Sequence, residues 1–173
     1  MEAAKEVVAP FARWEREMER LCGKTDEASL AAYGEAMEQY LLHEGYTIEE
    51  AIRKEASLLE VKDEALGRPF GTLSCGEQTK VLLAALFLKK NRFLLLDEPT
   101  NHLDASGRGA VEAYLRTKKG FLLVSHDRAL LDAVTDHTLA VNRRNIEIQK
   151  GGFSAWQAQK ERRDRMEAAQ NER

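Results

Sequence analysis

The sequence predicts an α/β fold entered through an α-helical subdomain, and three observations carry the prediction. The first 66 residues show helical apolar spacing and no strand-like run. Two short apolar runs, Phe93 to Leu96 and Gly120 to Val124, flank a helix-forming stretch near Ser106 to Lys118, the pattern of a strand, crossover helix and strand. The chain has 173 residues, 43% apolar and 32% charged, which fits a globular domain and excludes disorder and collagen-like repeats.

Taken in order, Phe11, Trp14, Met18 and Leu21 form an amphipathic stripe, with Gly23 placed to close the helix. A second helix is predicted from Glu27 to Leu42, carrying Leu30, Ala31, Tyr33, Met37, Tyr40 and Leu41. Thr47-Ile48-Glu49-Glu50 has the S/T-x-x-E form of a capping box and opens a third helix through Ile52, Leu58 and Leu59. After Gly67-Arg68-Pro69-Phe70-Gly71 the pattern changes. Val81 to Leu88 is apolar on all sides, as a buried helix is, and Phe93 to Leu96 and Gly120 to Val124 read as buried parallel strands. A short helix (Leu130, Leu131, Val134) follows, then a hairpin of Thr138–Asn142 and Ile146–Gln149 turning at Arg143-Arg144-Asn145. From Ala155 the chain becomes a charged helix without an apolar face. Its bases, Lys160, Arg162, Arg163, Arg165 and Arg173, interleave with Glu161, Asp164, Glu167 and Glu172, the pattern of a solvated helix. The expected organisation is a helical subdomain over 1–71, an α/β part over 72–153 and a charged helix over 154–173.

Charge is unevenly spread. Residues 1–66 hold 16 acids and 8 bases, and the remainder 13 acids and 18 bases. The formal net charge of −3 argues against nucleic-acid binding through overall charge. Val81 to Leu88 is the longest apolar run, far short of the roughly 20 residues of a membrane-spanning helix, so no membrane insertion is expected. Met1-Glu2-Ala3-Ala4-Lys5-Glu6 lacks an apolar signal-peptide core, and a cytoplasmic location is expected. Cys22 and Cys75 stand apart, without metal-ligand spacing, and read as reduced thiols.

Chemistry concentrates in three stretches. Leu94-Leu95-Leu96-Asp97-Glu98-Pro99-Thr100-Asn101-His102-Leu103-Asp104 places two adjacent carboxylates at the end of a strand, where open α/β sheets bind ligands. Asp97 is suited to hold Mg²⁺, and Glu98 to activate a water for attack on a phosphate; an ordinary acidic helix entry is the plain alternative. Leu73-Ser74-Cys75-Gly76-Glu77-Gln78 precedes the buried helix. Ser74 and Glu77 form a capping box there, and the same geometry offers backbone N–H groups to an anion. Ser125-His126-Asp127 puts an imidazole after the second strand.

These stretches resemble, in order and spacing, the LSGGQ-type signature, the Walker B segment with its D-loop, and the H-switch of ABC ATPases. Asn101-His102 resembles the ABC-F branch, whose members act on ribosomes without a transmembrane partner, and the antibiotic-resistance, ribosome-protecting members are the nearest in character. Phe153-Ser154-Ala155-Trp156 followed by a charged helix is similar to an ABC-F domain running into its interdomain linker. The resemblance implies a partial P-loop NTPase sheet of ABC type, with ATP and Mg²⁺ as substrate and metal. It further implies that Asp97 is the Mg²⁺-associated carboxylate, Glu98 the catalytic base, His126 the γ-phosphate sensor, and Asp104 the D-loop residue facing a second ABC domain. Ser74, Gly76 and Glu77 would belong to the face that meets a nucleotide held by that partner. Cys75 departs from the family's usual Gly and would be costly there if the backbone needed positive φ.

The sequence contains no G-x-x-x-x-G-K-[ST] motif. Its Gly23-Lys24-Thr25 has Met18 where the first Gly belongs and follows a charged helix rather than a strand. The expectation is therefore an ATPase fragment without its phosphate-holding loop, completed by a missing N-terminal half or a second ABC domain. In the family the H-switch strand lies between the Walker B and P-loop strands, so Gly120 to Val124 should lack a neighbour and self-association is expected. A transporter ATPase fragment and a non-catalytic interaction domain are the alternatives.

Overall fold

The computed structural model describes residues 1–142 and 145–171. It is a mixed α/β chain of two compact units, one formed by residues 1–94 and 100–111, the other by 95–99 and 112 onward.

The first unit begins with α1 (Glu2–Val8), α2 (Phe11–Leu21), α3 (Glu27–Leu42) and α4 (Ile48–Leu58), followed by the short α5 (Asp63–Gly67) and α6 (Cys75–Phe87). Pro10 separates α1 from α2, a break that helical periodicity alone does not reveal. Gly23 takes φ +79° just beyond the C-cap residue Cys22, the left-handed position in which helices commonly end on glycine. Helices α2 and α3 pack through Phe11, whose ring meets Tyr40 edge-on at 5.7 Å. On α3, Ala36 and Tyr40 are buried while Leu30 and Leu41 stay exposed, so only part of its apolar sequence faces this core. Helix α6 buries Val81, Leu83, Ala84 and Ala85 and packs against α1 and α4. The unit around the N-terminal helices therefore continues past residue 71 through α6.

Lys5 of α1 is buried, with its ammonium 3.4 Å from Glu15, 3.6 Å from Glu49 and 3.7 Å from Glu2. Burial opposes its charge, but the three carboxylates outweigh that and hold its pKa above the usual lysine value. The ion cluster thereby ties α1 to α2 and α4.

The capping box expected at Thr47 does not form. Thr47 is the N-cap residue of α4 with a helical-region backbone, and its hydroxyl donates to the Glu44 carbonyl at 3.2 Å instead. A tight turn that consumes the hydroxyl has competed with the cap.

β1 (Leu94–Asp97), all but its first residue in the second unit, and β2 (Phe121–Val124) of that unit form a two-stranded sheet; α7 (Ala105–Arg116), shared between the two units, lies between the strands in the chain. Neither strand is buried as fully as its composition suggests. In β1, Leu94 and Leu96 are buried but Leu95 is 76% exposed, and Val124 of β2 is 52% exposed. The apolar run reflects a strand with one open face, and β2 has β1 as its sole strand neighbour among the described residues. Helix α8 (Arg128–Val134) leads into β3 (His137–Val141) and β4 (Ile146–Lys150), an antiparallel hairpin pairing Leu139 with Ile148 and Val141 with Ile146. Arg143 and Arg144 of its predicted turn lie outside the described residues, as do Glu172 and Arg173. Helix α9 (Phe153–Asn171) is anchored at its start, where Asp132 of α8 accepts from the Ser154 N–H at 2.8 Å, and Arg163 pairs with Glu147 of β4 at 2.8 Å. Residues 160–166 are exposed, matching the solvated reading. No helix among the described residues is long and apolar enough to cross a membrane.

Candidate functional site

Within the first unit, the signature stretch opens α6. Ser74 is its N-cap, with extended backbone. The Ser74 hydroxyl oxygen accepts from the Glu77 N–H at 3.2 Å, and a Glu77 carboxylate oxygen accepts from the Ser74 N–H at 2.8 Å. Both halves of a capping box are thus present. These bonds hold the Glu77 carboxyl below its ordinary pKa, the Ser74 backbone donor contributing most and its hydroxyl next. Gln78 braces the preceding loop by donating to the carbonyls of Phe70 and Leu73, each at 3.1 Å.

The D-loop comes to the same place. A Cβ at Gly76 would sit 3.0 Å from Leu103 Cδ2, so the glycine allows Leu103 its close approach. His102 has φ +65°, and Asp104 caps α7 by accepting the Gly107 N–H at 2.8 Å. A cleft of 490 Å³ runs between these segments, lined by Ser74, Gly76, Glu77 and Asp104 together with Lys62 and Lys80. The structure thus gathers four of the sequence-predicted residues. The two lysines, which lie outside the quoted motifs, give the cleft positive charge beside its carboxylates. Cys75 is exposed and occupies the first turn of α6, with none of the positive φ that would have made a side chain costly.

In the second unit, Asp97 ends β1 and is exposed. Glu98 follows with φ +45°, a left-handed conformation uncommon outside glycine, and its N–H donates to the Val124 carbonyl at 2.8 Å. That bond sets the C-terminal ends of β1 and β2 side by side. The Ser125 hydroxyl donates to Glu98 Oε2 at 3.2 Å. Glu98 Oε1 is buried, makes no hydrogen bond, and lies 3.6 Å from Nε2 of His126, whose side chain is fully exposed. Asp127 caps α8 by accepting the Leu130 N–H at 3.1 Å. Glu98 and His126, each just beyond the end of a strand, are therefore neighbours; the contact of Ser125 with Glu98 carries no signal in the sequence beyond the two motifs themselves.

No group of three or more metal-ligating side chains occurs among the described residues. Mg²⁺ commonly takes one or two carboxylates and fills its shell with phosphate oxygens and water. The exposed Asp97 carboxylate, at a strand end, fits that mode as a single protein ligand. At α6 the box engages Ser74 and Glu77, while the N–H groups of Cys75 and Gly76, in the helix's first turn, are not used by it.

The chain thus carries a carboxylate pair at a strand end in one unit and a capped, glycine-containing helix start in the other. Residues 13–101 match the family model described as "ABC transporter", and the chain belongs to the ABC ATPase family. The energy-dependent translational throttle protein EttA of Haemophilus influenzae is 33% identical over 95% of this chain and 28% of its own length. The tylosin resistance ATP-binding protein TlrC of Streptomyces fradiae is 36% identical over 83% of this chain and 27% of its own length. The chain thus spans little more than a quarter of either relative. Among solved structures, an inward-facing metal-chelate-type ABC transporter matches with a TM-score of 0.41 and 27% identity, over 48% of this chain and 35% of that one.

Proposed function

We propose that this chain supplies the signature, the Walker B carboxylates, the D-loop and the H-switch residue of an ABC-F-type site that hydrolyses ATP, while the phosphate-holding loop comes from a missing half-domain or a second ABC domain. The assembled protein acts on ribosomes, as the ABC-F resemblance implies, in translation or antibiotic resistance; one relative is named for translational throttling and the other for tylosin resistance. The observation that carries the reading is Glu98 Oε1: a buried, unbonded carboxylate oxygen at a strand end, 3.6 Å from an exposed imidazole.

The chemistry assigns each residue a task. Glu98 accepts a proton at Oε1 from a water whose oxygen forms a bond to the terminal phosphorus, while the bond to the bridging oxygen breaks and ADP leaves. His126 touches the transferred phosphate. Asp97 offers one oxygen to Mg²⁺, which when bound neutralises charge on the phosphate oxygens. Ser74 and Gly76 present the α6 N-terminus to a nucleotide held by the partner domain, Glu77 keeps that end in shape, and Asp104 faces the partner.

By itself the signature face is too weak to hold ATP. A helix N-terminus contributes about 0.3–1 kcal/mol to a bound anion, up to about 2 when partly buried. A millimolar dissociation constant already requires about 4 kcal/mol. Calorimetric titration with ATP tests the reading: no saturable binding to the isolated chain, and binding once a P-loop-bearing half-domain is added. A sub-millimolar constant for the isolated chain, abolished by Ser74→Arg, would overturn it.

A further inference from the structure

We propose that Ser125 is a positioning residue for Glu98, choosing which of its two carboxylate oxygens is left to take the proton. The inference rests on the reading of Glu98 as the base. It begins with the backbone, because the Glu98 N–H to Val124 carbonyl bond of 2.8 Å places Ser125, the first residue beyond that strand, beside the Glu98 side chain.

The Ser125 hydroxyl then makes two contacts of opposite sense. Its oxygen accepts from the Asp127 N–H at 3.1 Å, and its proton is directed to Glu98 Oε2 at 3.2 Å. A hydroxyl has one proton and two lone pairs, so a backbone donor on the oxygen leaves the proton for the carboxylate. The backbone of Asp127 is itself fixed, since its side chain caps α8 through the Leu130 N–H at 3.1 Å. The helix start therefore orients Asp127, Asp127 orients the hydroxyl, and the hydroxyl holds Oε2. Oε1 remains buried with no hydrogen bond, facing His126. Carboxylate oxygens are chemically equivalent until something distinguishes them, and among the described hydrogen bonds to this carboxylate the one from Ser125 does so. Without it the carboxylate rotates about its terminal torsion, which is broad and nearly free of intrinsic preference.

Ser125→Ala, Ser125→Thr and Glu98→Gln chains are each combined with a P-loop-bearing half-domain from an ABC relative, and kcat and KM for ATP are measured. The carboxyl ¹³C resonance of Glu98, assigned by its loss in Glu98→Gln, is followed in the isolated chains. Ser125→Ala is expected to lower kcat by about tenfold or more with KM unchanged, as loss of a hydrogen bond to a charged group acting in the transition state does. Ser125→Thr, which keeps the hydroxyl, restores most of kcat. The Glu98 resonance moves in Ser125→Ala and stays near its wild-type position in Ser125→Thr. An unmoved resonance in Ser125→Ala overturns the inference whatever the activities. A moved resonance with wild-type kcat overturns the positioning role and leaves Glu98 as the base. Wild-type turnover by Glu98→Gln, or no turnover by any mixture, removes the reading beneath the inference and the inference with it.

Discussion

Glu98 and Val124 are joined by a backbone hydrogen bond of 2.8 Å one residue beyond the end of β1, with Glu98 held at φ +45°. A side chain in this conformation costs about 1–2 kcal/mol that glycine does not incur. Strain of this kind persists where surrounding structure over-determines it, and it accumulates at functional sites. Glu98→Gly is accordingly expected to be more stable than Glu98→Ala by about 1 kcal/mol, although both remove the carboxylate. Urea unfolding of the two variants checks this; an alanine variant as stable as the glycine one would show that the strain is not present.

The box at Ser74 and Glu77 supports α6 reciprocally, and Ser74→Ala is expected to destabilise by about 1 kcal/mol. Because the folded-state pKa of Glu77 is lowered, its contribution is fully present above the unfolded carboxylate value of about 4.3 and is lost as pH falls through the lower folded value. Wild type should therefore lose more stability than Glu77→Gln on acidification below about pH 4.3. Thermal melts of both proteins from neutral to acid pH provide the comparison, and parallel losses would mean that the carboxylate contributes nothing through the box.

Lys5 behaves in the opposite sense. Its folded-state pKa is raised, so the stabilisation it provides is complete below the unfolded value of about 10.4 and disappears as pH rises through the folded one. Lys5→Ala leaves Glu2, Glu15 and Glu49 facing one another and should cost about 1–3 kcal/mol at neutral pH. Denaturation at neutral pH tests the first claim. A wild-type stability that does not fall above about pH 10.4, relative to Lys5→Ala, would contradict the second.

Leu95 and Val124 leave the β1–β2 sheet with exposed apolar side chains, and β2 has a single strand neighbour among the described residues. Unpaired strand edges with apolar surroundings invite pairing with other chains. Self-association is expected for the isolated chain, reduced by Leu95→Lys, with light scattering at several concentrations as the measurement. A monomer at all concentrations for the wild type would argue that the edge is protected.

Much of this organisation was legible because each signal was strong and local. Glu27–Leu42 was readable to the residue from its acidic start and apolar content, and S-x-x-E at Ser74 forms the predicted box. The same four-residue pattern at Thr47 failed, since there the hydroxyl turns back to Glu44. A motif of this length specifies what a helix start can do, while the preceding turn decides whether it does. Strand composition misled in a similar way: Leu95 sits in an apolar run yet faces outward, because burial depends on what covers each face rather than on the run itself. At the site, Glu98 and His126 come together because each lies just beyond the end of a strand, but the link from Ser125 to Glu98 depends on register between two strands 27 residues apart, which spacing along the chain does not encode.

The central claim is that this chain holds one side of an ATP-hydrolysing site and Glu98 is its base. Its most direct test is steady-state ATP hydrolysis by the wild-type chain and by Glu98→Gln, each mixed with the same P-loop-bearing half-domain. The account predicts turnover by the wild-type mixture, none by the chain alone, and a loss of about 10²-fold or more in the Glu98→Gln mixture with nucleotide still bound. Equal turnover by the two mixtures would contradict it.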